Sequence, residues 1–273
     1  MKIVNNTQEL QTIIKQTNNT IGFVPTMGAL HDGHISLIKK AKEQNDTVVV
    51  SIFVNPTQFL AGEDFEKYPS KDLADKEICD RLGVDILFMP NINTMYSKDE
   101  ITIKAPNIRG FILEGYSRPE HFDGVLQIVL KLFNIVQPTN AYFGKKDAQQ
   151  LALIQQMVSN LFLPINIVPC EIIRDENGLA LSSRNTYLSK EEKQKALNIV
   201  KSLRVATNLI ISGILDISEI KKEMIKTLKD VDVEYVEIVS TSFTQLQKVE
   251  LKNTIILVAA KVGTTRLIDN IWI

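Results

Sequence analysis

The run Thr47-Val48-Val49-Val50-Ser51-Ile52-Phe53-Val54, ending at Asn55-Pro56, constrains the fold more than any other stretch. Its β-branched residues follow one another instead of alternating with polar ones. A strand of this kind is buried on both faces, as in a parallel sheet covered by helices. Thr20-Ile21-Gly22-Phe23-Val24 before it reads as a second strand, with a short helix over 7–19 leading into it. Val84-Asp85-Ile86-Leu87-Phe88-Met89, stopped by Pro90, reads as a third. Helical patterns separate them: one begins at Ile35, and one spans 71–82 and ends at Gly83, with Leu73, Ala74, Ile78 and Leu82 expected on its buried side. Strands alternating with helices form a doubly wound sheet, and ligands of such sheets bind beyond the carboxyl ends of the strands.

The pattern continues after 91–120, which are less regular. A helix is expected over 122–136, with Val125, Ile128, Val129, Leu132, Phe133 and Val136 as its apolar stripe. A strand at 141–143, a helix to about 161 and a strand at 164–173 follow. Arg174-Asp175-Glu176-Asn177-Gly178 is a polar, turn-forming cluster and the expected hinge. Beyond it, Ser189-Lys190-Glu191-Glu192 is a capping box opening a helix to about 212. A helix over 217–229, strands at 233–239 and 254–261 and an extended tail complete the chain. The expected fold class is α/β: a doubly wound, parallel-sheet, Rossmann-like N-terminal domain over 1–174, then a smaller α+β C-terminal domain over 175–273.

Composition excludes several function classes. A formal net charge of −1 over 273 residues gives no basic field for nucleic acid, so any positive site must be local. Cys79 and Cys170 stand in unrelated contexts and read as reduced, buried, small apolar residues. The N-terminus lacks the pattern of a secretory signal, and no apolar run approaches the roughly 20 residues a bilayer requires. A cytoplasmic protein without membrane contact is expected.

Pro25-Thr26-Met27-Gly28-Ala29-Leu30-His31-Asp32-Gly33-His34 joins the first long strand to the helix after it. Gly28 and Gly33 allow a tight turn or close approach to a ligand. Two of the chain's three histidines, His31 and His34, stand one helical turn apart. The open N–H groups and positive dipole end of the helix suit an anion such as phosphate, to which imidazoles can also donate. Zinc is disfavoured, because no cysteine or third histidine lies at ligand spacing, although Asp32 is adjacent.

Gly144-Lys145-Lys146-Asp147 sets two lysines at a strand-to-helix junction, where they oppose the helix dipole unless an anion is bound. Asp147 is a possible Mg²⁺ ligand. Ser182-Ser183-Arg184 offers two hydroxyls and a guanidinium fork in a loop. Asn55, Gln58, Gln149 and Gln150 are neutral polar groups near strand ends, suited to a small polar substrate. The G-x-x-x-x-G-K-[ST] and G-x-G-x-x-G phosphate cradles and the G-x-S-x-G elbow are absent, which favours catalysis by positioning and charge stabilisation.

His31-Asp32-Gly33-His34 resembles the H-x-G-H signature of a nucleotidyltransferase superfamily. The flanking text is more specific. Pro25 to His31, Val50-Ser51-Ile52-Phe53-Val54-Asn55-Pro56-Thr57-Gln58-Phe59, Phe143 to Asp147, Gly178 to Asn185 and Arg266-Leu267-Ile268-Asp269-Asn270 resemble, in this order, the pantoate–β-alanine ligase family. The resemblance implies an ATP-dependent ligase that joins pantoate to β-alanine through a pantoyl adenylate, releasing pyrophosphate and AMP. It implies His34 as the catalytic histidine, with His31, Lys146 and Arg184 assisting at the phosphates. Met27, Gly28, Ala29, Leu30, His31, Asp32, Gly33 and His34 would lie along ATP, and Gly144, Lys145, Lys146, Asp147, Ile173, Leu181, Ser182, Ser183 and Arg184 would contact it. Gln58 and Gln150 would hold pantoate, with Asn55 nearby, while Tyr68, Arg118 and His121 would line the rim or the pyrophosphate side. Mg²⁺ would bridge phosphate oxygens, the C-terminal domain would close over the site, and the chain would form a homodimer through its larger domain. One departure is visible: Lys145 stands where the family usually has glutamate.

Overall fold

A computed structural model describes residues 1–273. The elements are, in chain order, β1 (Lys2–Val4), α1 (Thr7–Gln16), β2 (Ile21–Thr26), α2 (Asp32–Gln44), β3 (Thr47–Ile52), α3 (Asp72–Arg81), β4 (Ile86–Phe88), α4 (Ile92–Met95), α5 (Glu114–Ser117), α6 (His121–Val136), β5 (Asn140–Gly144), α7 (Ala148–Asn160) and β6 (Asn166–Cys170). They continue with α8 (Lys190–Ile211), α9 (Ile217–Thr227), β7 (Asp232–Ser240), β8 (Thr254–Val262) and β9 (Thr265–Trp272). The chain divides into two compact units, one of Met1–Lys145 and Gln149–Glu171, the other of Lys146–Ala148 and Ile172–Ile273.

The first unit is a six-stranded sheet in the order β1-β4-β3-β2-β5-β6, parallel throughout. Val48 to Ile52 of β3 are all buried, as their unbroken apolar run predicts. The strand order reverses between β2 and β5. The carboxyl ends of these two neighbours, Thr26 and Gly144, therefore flank the topological switch point, where such sheets leave a crevice. Every apolar residue assigned to the stripe of α6 is buried.

Three readings of this unit change. β1 was not anticipated: at three residues it is too short to show a period. The helix after β2 starts at Asp32, earlier than Ile35, because His31 caps it. On α3 the expected apolar face is met in part: Ile78 and Leu82 pack against the core, whereas Ala74 is exposed. Leu73 is 79% exposed, whereas Asp75 and Cys79, one turn apart, are fully buried. Both cysteines are free and buried as expected, and burial pushes the Cys79 thiol up to about 12.

The second unit packs α8 and α9 on an antiparallel sheet in the order β7-β8-β9. Ile199, Leu203, Ile220, Met224, Ile256 and Val258 belong to its core. Ser189 and Glu192 form the expected capping box: Ser189 Oγ accepts the Glu192 N–H at 3.2 Å, and Glu192 Oε2 accepts the Ser189 N–H at 2.8 Å. The expected extended tail is β9, a full strand. The expected hinge cluster is a tight turn inside this unit. Asp175 Oδ1 accepts the N–H groups of Asn177 and Leu179, and Gly178 takes φ +93°. The unit begins at Ile172, ahead of the expected 175, because the Arg174 fork is paired with Asp269 at 2.6 and 2.9 Å.

Candidate active site

The turn between β2 and α2 uses its backbone donors internally. The Gly28 N–H donates to Thr26 Oγ1 at 3.2 Å, the Ala29 N–H to Asp75 Oδ2 at 2.8 Å and the Leu30 N–H to Asp75 Oδ1 at 2.8 Å. Gly28 and Ala29 both hold positive φ, +86° and +50°. The left-handed turn suits glycine at the first position and strains the second by about 1–2 kcal/mol.

His31 caps α2 with its ring. Its Nδ1 accepts the Gly33 N–H at 3.1 Å, and His34 Nδ1 accepts the His31 N–H at 3.4 Å, so the two imidazoles form a reciprocal capping box. Gly33 has a steric reason to be glycine, since a Cβ there would lie 2.8 Å from the His31 ring. An Nδ1 that accepts leaves the proton of a neutral imidazole on Nε2. The rings lie with centroids 4.2 Å apart. The expectation of open helix N–H donors is therefore altered: the His31 and Gly33 N–H groups are taken by imidazoles. Asp32 is exposed in the first turn, where its charge suits the helix dipole.

The loop after β3 is held as firmly. Asn55 is 1% exposed. Its Nδ2 donates to Gln58 Oε1 and to the Gly124 carbonyl, both at 3.1 Å, and its Oδ1 accepts from Thr57 Oγ1 at 3.0 Å and Tyr96 Oη at 2.7 Å. These bonds fix the Gln58 amide with Nε2 toward Met27 Sδ, 3.1 Å away. Asn55 is thus an orienting residue for Gln58. Gly124 lets α6 approach this loop: a Cβ there would sit 2.3 Å from the Thr57 carbonyl oxygen.

His121 and Arg118 form the other side of this support. His121 is buried, and its Nδ1–H donates to the Gln58 carbonyl at 2.7 Å while Nε2 accepts from Arg118 at 3.0 Å. Arg118 in turn grips Glu63 in a two-bond fork, 2.6 Å in each arm. Burial, then the adjacent guanidinium, push the His121 imidazole down to about 4, so it is neutral at pH 7. His121, expected at the rim or the pyrophosphate side, is a buried prop for Gln58. Tyr68 is half-buried against the Phe59 ring, centroids 5.8 Å apart. Gln149 is a structural pin, with its amide spent on the backbone of Arg109, Ile112 and Glu114. Gln150 is half-buried on the first turn of α7.

Lys145 pairs with Glu171, so the charge at this unusual position has a carboxylate partner and does not require an anion. In the second unit, Lys146 Nζ lies 3.6 Å from Asp147 Oδ1, and the Lys146 carbonyl accepts from Asn270 Nδ2 at 2.7 Å. The Leu181 N–H donates to the Ile173 carbonyl at 2.9 Å, bringing those two residues together. Ser182 Oγ caps a 3₁₀ turn by accepting the Arg184 N–H at 3.3 Å, and Ser183 is buried. The expected loop is therefore an ordered turn. No group of three or more His, Cys, Asp or Glu side chains is placed to hold a metal ion.

Sequence reasoning missed Asp75, Tyr96, Glu63 and Gly124. For Asp75 a signal existed: Cys79, already read as buried, lies one turn along the same helix. The others are reached only by contacts distant in sequence.

A parallel sheet whose switch-point strand ends in a histidine-capped helix start, beside oriented amides, defines an α/β enzyme built to handle a small polar substrate and an anionic group. The family model for pantoate-beta-alanine ligase matches residues 2–272. The chain belongs to that family of amide-forming ligases. A pantothenate synthetase of Aliarcobacter butzleri is 59% identical over the full length of both chains. The pantothenate synthetase structure from Thermus thermophilus is 36% identical with a TM-score of 0.95, covering 100% of this chain and 99% of that one. The pantoate-beta-alanine ligase structure from Francisella tularensis, complexed with beta-gamma ATP and beta-alanine, is 39% identical with a TM-score of 0.84, covering 100% and 97%.

Proposed function

We propose that the chain condenses pantoate with β-alanine at the expense of ATP, in two steps. A pantoate carboxylate oxygen attacks the α-phosphorus of ATP, and the bond to the bridging oxygen breaks to release pyrophosphate. The amine of β-alanine then attacks the acyl carbon of the adenylate, AMP leaves with the bonding pair, and the nitrogen loses a proton as the amide forms. The observation that carries this reading is the histidine pair at the switch point of the parallel sheet, whose Nδ1 atoms cap the start of α2 and hold both rings there. Charge builds on the α-phosphate oxygens during the first step, and preorganised donors lower its barrier.

In this reading His34 and His31, with the stretch from Met27 to Gly33, serve the triphosphate. Gln58, oriented by Asn55, and Gln150 hold pantoate, and Tyr68, Arg118 and His121 support that side. Gly144, Lys145, Asp147, Ile173, Leu181, Ser182 and Ser183 are nucleotide contacts, and Lys146 and Arg184 are cationic donors to phosphate. Mg²⁺ would enter with ATP as part of the substrate and would supply charge neutralisation at its phosphates. We further propose a cytoplasmic homodimer, whose interface would cover the exposed Ile101, Ile108, Phe111 and Tyr116 of the first unit.

The test is a three-substrate turnover assay with mass detection of pantothenate. Product requiring ATP, pantoate and β-alanine together supports the reading; an adenylylated product that retains AMP overturns it. His34→Ala is expected to fold, since its cap bond to the His31 N–H is long at 3.4 Å and His31 still caps α2, and to lose pyrophosphate release by about 10²–10³-fold. Near-normal release by this variant would remove His34 from its role.

A further inference from the structure

The histidine turn has a support outside its own segment. Asp75 reaches it from α3, is 1% exposed, and places one carboxylate oxygen on each of two consecutive N–H groups at 2.8 Å. These belong to Ala29 and Leu30, the residues directly before the helix cap His31. The fit is tight on the other side also: a Cβ on Gly28 would meet Asp75 Oδ2 and Ile52 Cγ2, each at 3.1 Å. An ionised carboxylate is the one short side chain that can accept from two parallel N–H groups, because an amide of the same shape turns a donor toward one of them. Such burial is costly for a carboxylate and exceeds what a surface turn requires.

We propose that Asp75 is a positioning residue for the reaction: its two-oxygen clamp on Ala29 and Leu30 holds the left-handed turn that sets the His31 and His34 rings at the start of α2. The inference rests on the proposed role of these histidines in adenylate formation. Losing one of the two bonds lets the turn relax toward ordinary backbone angles, and displacing a reacting group by about 1 Å can cost about 10²-fold in rate.

The experiment compares wild type, Asp75→Asn and the control Asp72→Asn, an exposed carboxylate one turn earlier on α3. Three readouts are taken: thermal stability, kcat for pyrophosphate release with ATP and pantoate, and long-range ¹H–¹⁵N correlation spectra of the imidazoles. Asp75→Asn is expected to stay folded, to lower kcat by about 10²-fold and to shift the His31 and His34 nitrogen signals; Asp72→Asn should leave kcat and both imidazole signals unchanged. A merely structural Asp75 would lower the melting temperature yet leave the kcat of the folded enzyme and both imidazole signals at wild-type values, and this result overturns the proposal. Should Asp75→Asn not fold, Gly28→Ala strains the same turn with the carboxylate in place. Shifted imidazole signals then support the clamp, and unshifted ones overturn it. A wild type that releases no pyrophosphate defeats the functional reading alone, since the imidazole signals still decide the positioning role.

Discussion

At the scale of single residues, the protein fixes protons by geometry. His31 and His34 accept at Nδ1, whereas His121 donates there to the Gln58 carbonyl. His31 and His34 therefore share one neutral tautomer and His121 carries the other, each set by its backbone partner. For His121 this has a consequence for stability. Its imidazole titrates near 4 in the fold and near 6.5 as an ordinary histidine, so between those values the unfolded chain binds the extra proton. The neutral ring's contribution is thus present above pH 6.5 and is lost as pH falls toward 4. The shift corresponds to about 3 kcal/mol at full extent. Glu63 does not confuse the window. Although burial acts to raise its pKa, the hydrogen bonds and charge of Arg118 pull it below the usual carboxylate range of 4.5, so its loss comes at lower pH. Urea unfolding at pH 7.0, 5.5 and 4.5 should show stability falling with acidity. His121→Asn, which can still donate to the Gln58 carbonyl but does not titrate, should flatten that slope; an unchanged slope would assign the acid loss to other groups.

At the scale of elements, packing of α6 on the loop after β3 carries the substrate side of the proposed site. Gly124 permits this contact, because any Cβ there would overlap the Thr57 carbonyl and approach the Gln58 nitrogen to 2.7 Å. Gly124→Ala gains helix propensity yet must push the loop away, so we expect a net loss of about 1–3 kcal/mol in urea unfolding and a raised KM for pantoate with a smaller change in kcat. A more stable variant with wild-type KM would show that the loop yields without cost. The legibility of the sequence follows the same division. β3 and α6 could be read because each buries a continuous pattern of its own residues. α3 could be read only in part: Ile78 and Leu82 pack against the core, but its most buried positions include Asp75, a carboxylate whose partners lie 45 and 46 residues away. The histidines could be found by their spacing, but the use of their Nδ1 atoms as caps depends on ring orientation, which spacing does not fix. His121 is expected at the rim or the pyrophosphate side, and neither its burial nor its bond to the Gln58 carbonyl, 63 residues away, leaves a local trace in the sequence.

At the scale of the whole molecule, the chain passes into its second unit twice, briefly at Lys146–Ala148 and finally at Ile172. Both crossings are tied to the same two residues of β9. Asn270 Nδ2 donates to the Lys146 carbonyl at 2.7 Å, and Arg174 donates to both carboxylate oxygens of Asp269 and to the Asn270 carbonyl at 3.2 Å. Asp269 is 3% exposed, so its charge is acceptable only while the guanidinium faces it. Removing the carboxylate leaves Arg174 partly exposed and able to recover some hydration, which places the cost toward the lower end of the 3–5 kcal/mol range for a broken buried pair, about 3 kcal/mol. The single tryptophan, Trp272, reports on this event directly, since its Nε1–H donates to Asn270 Oδ1 at 3.0 Å in the same strand. Asp269→Ala should therefore move the Trp272 fluorescence transition to lower urea and loosen the anchor of Lys146, raising the KM for ATP more than that for β-alanine. An unmoved fluorescence midpoint would show that β9 holds these crossings without the ion pair. A moved midpoint with an unchanged KM for ATP would show that Lys146 is anchored by Asn270 alone.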